Sequence, residues 1–192
     1  DVGGANYLRK HQESYKFLIN NTSMMMNVFE IVERLNKRVI FASSVTAFDI
    51  KNSYGNLKLL GERMCSSLGG LNVRLWNIYG YEQDHEKYHV IMDFIDQVHK
   101  EGTVSSKTNG QERRQFLFGD DCADALLQLA FDYDQVCNRE VHLSSGVWTS
   151  IKDVAQLICE ICDCRDPHFS TVVENMQSIE YSPKNIHVFS SP

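Results

Sequence analysis

The stretch from Arg38 to Lys58, RVIFASSVTAFDIKNSYGNLK, constrains the fold more than any other part of the chain. Val39-Ile40-Phe41-Ala42 is short, apolar and β-prone, which predicts a strand buried on both faces of a parallel sheet and ending at Ser43-Ser44. After a turn, Leu57, Leu60 and Met64 fall on one helical face, so a helix runs from about Ser53. Leu71 to Trp76 then reads as the next parallel strand. Strand, helix and strand in close succession predict an α/β fold built on a partial doubly wound parallel sheet.

Tyr54 and Lys58 lie one helical turn apart and are therefore neighbours on that helix. A tyrosine hydroxyl, with an ordinary pKa of about 10, becomes a base near neutrality only if a cation favours the phenolate. Lys58 is placed to supply that charge, and Ser44 to hydrogen-bond the oxygen whose proton Tyr54 takes. Such a site lies at the carboxyl edge of the strands, where open α/β sheets bind ligands. The plainer reading of the same spacing is an exposed helix with a packed tyrosine.

Composition narrows the function classes. With 192 residues, 43% of them hydrophobic, the chain can bury one sizeable core and at most a small second lobe. No apolar run approaches a membrane span, and a net charge of −6 argues against a nucleic-acid or membrane-surface role. Six cysteines scattered through apolar segments suit a reducing compartment, so the expected location is cytoplasmic. Cys159, Cys162, Cys164 and His168 have a zinc-like spacing, but Cys159 and Cys162 read as the buried face of a helix with Val154, Leu157, Ile158 and Ile161. His85-Glu86-Lys87-Tyr88-His89 spells a zinc-hydrolase motif, with little apolar backing for the helix that chemistry needs. No metal is expected.

Along the rest of the chain, a loop precedes a long helix from Tyr15 to Asn36, with Met24, Val28, Val32 and Leu35 as its core face. Val90 to His99 reads as an amphipathic helix and residues 101–112 as a mobile surface loop. Gln115 to Phe118 is a predicted strand, with the basic pair Arg113-Arg114 before it. Asp120 is suited to cap a helix reaching Phe131, Glu140 to Leu143 forms a strand, and Ser150 to Asp153 opens a helix ending near Cys162. Thr171-Val172-Val173 gives a weak strand signal.

Four blocks in this order resemble the extended short-chain dehydrogenase/reductases that act on nucleotide sugars. They are Asp1 to Gly4 with Asn20 to Val28, closest to the GDP-mannose 3,5-epimerase branch; Phe41 to Ser44 with Tyr54 and Lys58; Arg74 to Gly80; and Gly110 to Ala125. The resemblance implies a Rossmann-type domain over residues 1–80, carrying Ser44, Thr46, Tyr54 and Lys58 as catalytic residues. It implies a mainly substrate-binding lobe over residues 81–192, with some elements returning to the sheet. Asn21, Tyr54 and Lys58 would contact the cofactor, NAD or NADP, while Asn77 and Arg114 would hold the diphosphate of a nucleotide-sugar substrate. A homodimer through the Tyr54 helix is also implied.

The family pattern is broken in places. No glycine-rich dinucleotide turn occurs in the sequence, the Phe48-to-Tyr54 linker is short, and the usual closing helix does not follow. The chain is therefore expected to be a piece of a longer protein or a reduced relative. After Ser44 the chain has Val45 and Thr46, where in the family it resembles the dehydratases carry an Asp-Glu pair and the 3,5-epimerase and the related fucose synthase a cysteine. That leaves hydride chemistry at one sugar carbon, as a 4-epimerase or a reductase. The alternative is a non-catalytic relative serving as a structural or scaffold subunit.

Overall fold

The computed structural model of the protein describes residues 2–49, 51–136, 140–171 and 186–188. A short helix α1 (Ala5–His11) leads into the long α2 (Tyr15–Arg34), whose N-cap Ser14 accepts a hydrogen bond from the Phe17 amide. Strand β1 (Ile40–Ser44), a 3-10 turn (Val45–Phe48) and α3 (Ser53–Ser67) follow, then β2 (Leu71–Leu75) and β3 (Asn77–Tyr79). Next come α4 (Val90–Glu101), β4 (Ser105–Ser106), β5 (Arg113–Phe118), α5 (Gly119–Phe131) and α6 (Tyr133–Val136). The remaining elements are β6 (Glu140–Ser144), β7 (Trp148–Ser150), α7 (Ile151–Ile161), β8 (His168–Phe169) and β9 (Ile186–Val188).

The main sheet is four-stranded and parallel throughout, in the order β1-β2-β6-β9. Its interior is apolar: Leu71, Val73, Val141 and Leu143 are buried against Cys122, Ala125 and Leu129 of α5. On β1, Phe41 packs with Met25 and Phe29 of α2 and Cys65 of α3. A second core lies between α4 and α7, around Phe94, Val104, Ile151, Val154 and Ile158. The smaller sheet β3-β5-β7 mixes a parallel and an antiparallel pairing. The chain runs from the main sheet to the smaller one through Trp76 alone, so the ends of β2 and β5 are brought into one neighbourhood.

Most predicted elements are present within a residue or two, and the alternating strand and helix order gives the expected α/β architecture. The burial of several faces differs. β1 is the edge strand of the described sheet, and Ala42 is exposed, so the strand is not covered on both faces. In α2 the buried row is Phe17, Met25 and Phe29, while Met24, Val28 and Leu35 are about half exposed. Neighbouring rows of a helix share the same periodicity, so spacing alone does not choose between them. The same ambiguity affects α3, which buries Gly55, Gly61, Glu62 and Cys65 while Leu60 is exposed. In α7 it is Cys159, not Cys162, Leu157 or Ile161, that joins Val154 and Ile158 inside.

Three local readings are also corrected. The opening segment is not only loop, because α1 forms there. Residues 101–112 are not a loose surface loop: Thr103, Val104 and Thr108 are buried, Ser105–Ser106 pairs with β8, and Thr108 donates to the Glu112 carboxylate. Asp120 sits in the first turn of α5 rather than at its cap, a position held by Phe118, and there its charge favours the helix dipole. The capping box at Ser150 and Asp153 forms as predicted. Thr171 lies in a bend, and Val172-Val173 lie outside the described residues.

Candidate active site

The carboxyl end of β1 is where chemistry-bearing side chains converge. Ser44 Oγ accepts hydrogen bonds from the Thr46 amide at 3.2 Å and from Thr46 Oγ1 at 2.9 Å. The linker is short, and Asn52 caps α3 by accepting from the Gly55 amide. Gly55 makes this closure sterically possible: a Cβ there would lie 2.3 Å from the Thr46 carbonyl oxygen and 2.8 Å from that of Asp49. The first turn of α3 thus presses on the linker and sets Tyr54 beside Ser44, close enough for the serine hydroxyl to lower the phenol's pKa. Lys58 Nζ donates to the Ala42 carbonyl at 2.7 Å and lies 5.6 Å from the centre of the Tyr54 ring. Ser44, Thr46, Tyr54 and Lys58 therefore form one cluster.

Its electrostatics differ in sign from the expectation. Burial pushes the Tyr54 phenol up to about 12, and the Ser44 hydroxyl only partly offsets this. Burial likewise lowers the pKa of the Lys58 ammonium. Both shifts have one cause, the loss of water around whichever form is charged. One of the three donors of Lys58 is committed to Ala42 O, and the cation does not outweigh desolvation at the phenol.

The remaining predicted residues occupy two other places. Asn21 is on α2, which packs on α3, and its amide donates to Phe17 O at 2.9 Å within its own helix. Asn77 opens β3 and donates to Gln115 O at 3.3 Å, next to Arg114 on the paired strand β5. Arg114 Nη1 bonds the Arg113 carbonyl at 2.7 Å. Asn77 and Arg114 thus flank one strand pair of the smaller sheet, at the point where the chain leaves the main sheet.

The zinc-like spellings do not assemble. His85 sits in a 3-10 turn (His85–Lys87) and His89 is the residue before α4, where its Nδ1 meets Glu82 Oε1 at 2.5 Å. Among the described residues no group of three or more His, Cys, Asp or Glu converges on a metal position.

Three residues to which the spacing assigned no role, Ser43, Glu62 and Arg74, lie just behind this cluster. Glu62 accepts from Arg74 Nε and Nη2, both at 2.7 Å, and from Ser43 Oγ at 2.5 Å. Their signal was present: an arginine between Val73 and Leu75 in a strand, and a glutamate two helical turns after Tyr54.

The parallel sheet with helices packed against it is the fold that the resemblance to the extended short-chain dehydrogenase/reductases implies. The chain belongs to the NAD dependent epimerase/dehydratase family, whose model matches residues 2–143. It is 26% identical to a GDP-L-fucose synthase of Sinorhizobium fredii (strain NBRC 101917 / NGR234), over 56% of this chain and 38% of the relative. The fold is similar to that of the epimerase Mth375 from Methanothermobacter thermautotrophicus, with a TM-score of 0.80 at 17% identity, covering 93% of this chain and 59% of that one. It is also similar to the UDP-glucose 4-epimerase of Thermotoga maritima, solved with UDP-glucose, with a TM-score of 0.77 at 18% identity over 93% and 64% of the two chains. The chain thus spans less than two thirds of the length of each of these relatives.

Proposed function

We propose that this chain is the catalytic portion of an NAD(H)-dependent nucleotide-sugar epimerase or reductase in which Tyr54 carries the proton. The observation that carries this reading is the Ser44, Thr46, Tyr54 and Lys58 cluster at the end of β1. Family membership supports the cofactor class, and UDP-glucose in the Thermotoga relative supports the substrate class.

The residues fit one end of a nicotinamide dinucleotide. The Lys58 ammonium and Tyr54 hydroxyl form a donor set suited to ribose hydroxyls beside the reacting ring, with Asn21 on the adjoining helix. No glycine-rich turn in the sequence is available for the pyrophosphate. When bound, the nicotinamide would accept or deliver hydride.

The chain's own residues do the rest. Ser44 and Thr46 hold the substrate hydroxyl whose carbon is to be oxidised, and Tyr54 removes its proton. Burial holds the Tyr54 phenol at about 12 with Lys58 already beside its ring, so cationic charge beyond that of Lys58 is needed for it to act near neutrality. Asn77 and Arg114 would orient the diphosphate, the guanidinium matching phosphate oxygens in pairs. We read residues 1–80 as the Rossmann-type part and 81–192 mainly as the substrate lobe. The compartment consistent with the unbridged thiols of Cys65, Cys122, Cys159, Cys162 and Cys164 is the cytoplasm. A homodimer through α3, the Tyr54 helix, is supported by its exposed Leu60, and α2, which packs on α3, adds a half-exposed apolar row of Met24, Val28, Ile31 and Leu35.

Incubating the full gene product with NAD and UDP- or GDP-sugars, followed by product chromatography, tests the reading. Turnover is expected, and Tyr54→Phe is expected to lower kcat by about 10²- to 10⁴-fold with little change in KM. If the full protein binds neither cofactor nor nucleotide sugar, the enzymatic reading fails and the non-catalytic subunit remains.

A further inference from the structure

We propose that the buried Glu62–Arg74 pair is the positioning device of this site. It locks together the three chain segments that present Ser44, Thr46 and Tyr54. The inference rests on the reading of Tyr54 as proton carrier and adds residues that the reading does not use.

Each segment carrying a site residue touches the pair. Ser43, adjacent to Ser44 on β1, donates to Glu62 Oε1. Phe48, in the same 3-10 turn as Thr46, lies with its ring centre 3.9 Å from the Arg74 guanidinium carbon. Glu62 belongs to α3, the helix of Tyr54 and Lys58. Arg74 comes from the middle of β2 and binds Glu62 through two parallel N–H···O bonds at 2.7 Å. From β6, the fully buried His142 stacks on Phe48 at an interplanar angle of 10°. Ser43, Glu62 and Arg74 are 2%, 6% and 5% exposed, so solvent does not loosen the pair.

Stability alone does not explain two opposite charges here, because apolar residues of similar volume replace buried ion pairs at little or no cost. A bidentate pair adds fixed distance and orientation. The β1–β2 ladder already sets those strands, whereas α3 meets β1 through Gly61 against Phe41 and, besides the Ser43–Glu62 bond, through the hydrogen bond from the flexible Lys58 side chain to Ala42 O; apart from these the contact is small or apolar surface. Such packing is non-directional and leaves the slide of the helix along the sheet weakly determined. A slide of about 1 Å separates Tyr54 from Ser44, a displacement on the scale that costs ~10²-fold in rate.

The test compares Ser43→Ala and the double variant Glu62→Leu/Arg74→Met with wild-type full-length protein. The expected result for the double variant is a Tm close to wild type, kcat lower by ~10²-fold and KM for the nucleotide sugar unchanged. The limb of kcat that rises with pH should also move to higher pH, because the Ser44 hydroxyl that lowers the Tyr54 pKa is less firmly held beside it. Ser43→Ala should show the same changes to a smaller extent. Wild-type kcat and pH profile in the double variant would overturn the proposal and leave the pair a structural one. If the double variant does not fold, Ser43→Ala decides by the same criteria. Spectroscopic titration of the Tyr54 phenol, taken as the difference from Tyr54→Phe, answers without turnover. Its midpoint rises in both variants if the pair positions the site and is unchanged if it does not, so failure here is distinct from failure of the enzymatic reading.

Discussion

At Tyr54 two opposing effects meet, and burial outweighs the nearby cation. The folded phenol titrates near 12, above its ordinary value of about 10. Between those pH values the unfolded chain ionises and the folded chain does not, so the folded state holds more protons and stability falls as pH rises. Chemical denaturation is therefore expected to show a steeper loss of stability from pH 10 to 12 in wild type than in Tyr54→Phe. Equal slopes would contradict the buried phenol. Gly55 gives a second expectation at this scale. Gly55→Ala brings a methyl group against two backbone carbonyls that cannot swing aside, and a loss of about 1 to 3 kcal/mol is expected by thermal unfolding. The cluster of Ser44, Tyr54 and Lys58 was legible from spacing because strand end and helix turn are local geometry. The direction of the phenol shift was not, since it depends on how much surrounding chain excludes water.

Among the elements, the longer helices and the strands β1, β2, β5 and β6 followed from apolar periodicity, whereas their facing and the short elements α1, β3, β4, β7 and β8 did not. In α2 the rows through Met24 and through Met25 repeat identically along the sequence, and only contact with Phe41 and Cys65 makes Met25 and Phe29 the inner one. The outer row of Met24, Val28, Ile31 and Leu35 remains a half-exposed apolar stripe. If that stripe is the dimer face, Met24→Glu/Val28→Glu should convert a dimer to a monomer in sedimentation equilibrium without loss of helix. A wild-type monomer, or a variant that remains dimeric, would remove that interface. Residues 101–112 teach the converse lesson. Gly, Ser, Thr and Asn suggested loop, yet Thr103 donates to the carbonyl of Asp166 and Val104 fills the core between α4 and α7, contacts that no local pattern encodes.

For the molecule as a whole, sequence order predicted a parallel sheet, but strand order required the structure: β6, more than sixty residues after β2, pairs directly with it. That insertion places His142 beside Arg74 and lets a distant strand support the β1 to α3 linker. The position of β1 at the rim of the described sheet has a further consequence. Every second peptide group from Ile40 to Ser44 points away from β2, a rail onto which another strand can zip.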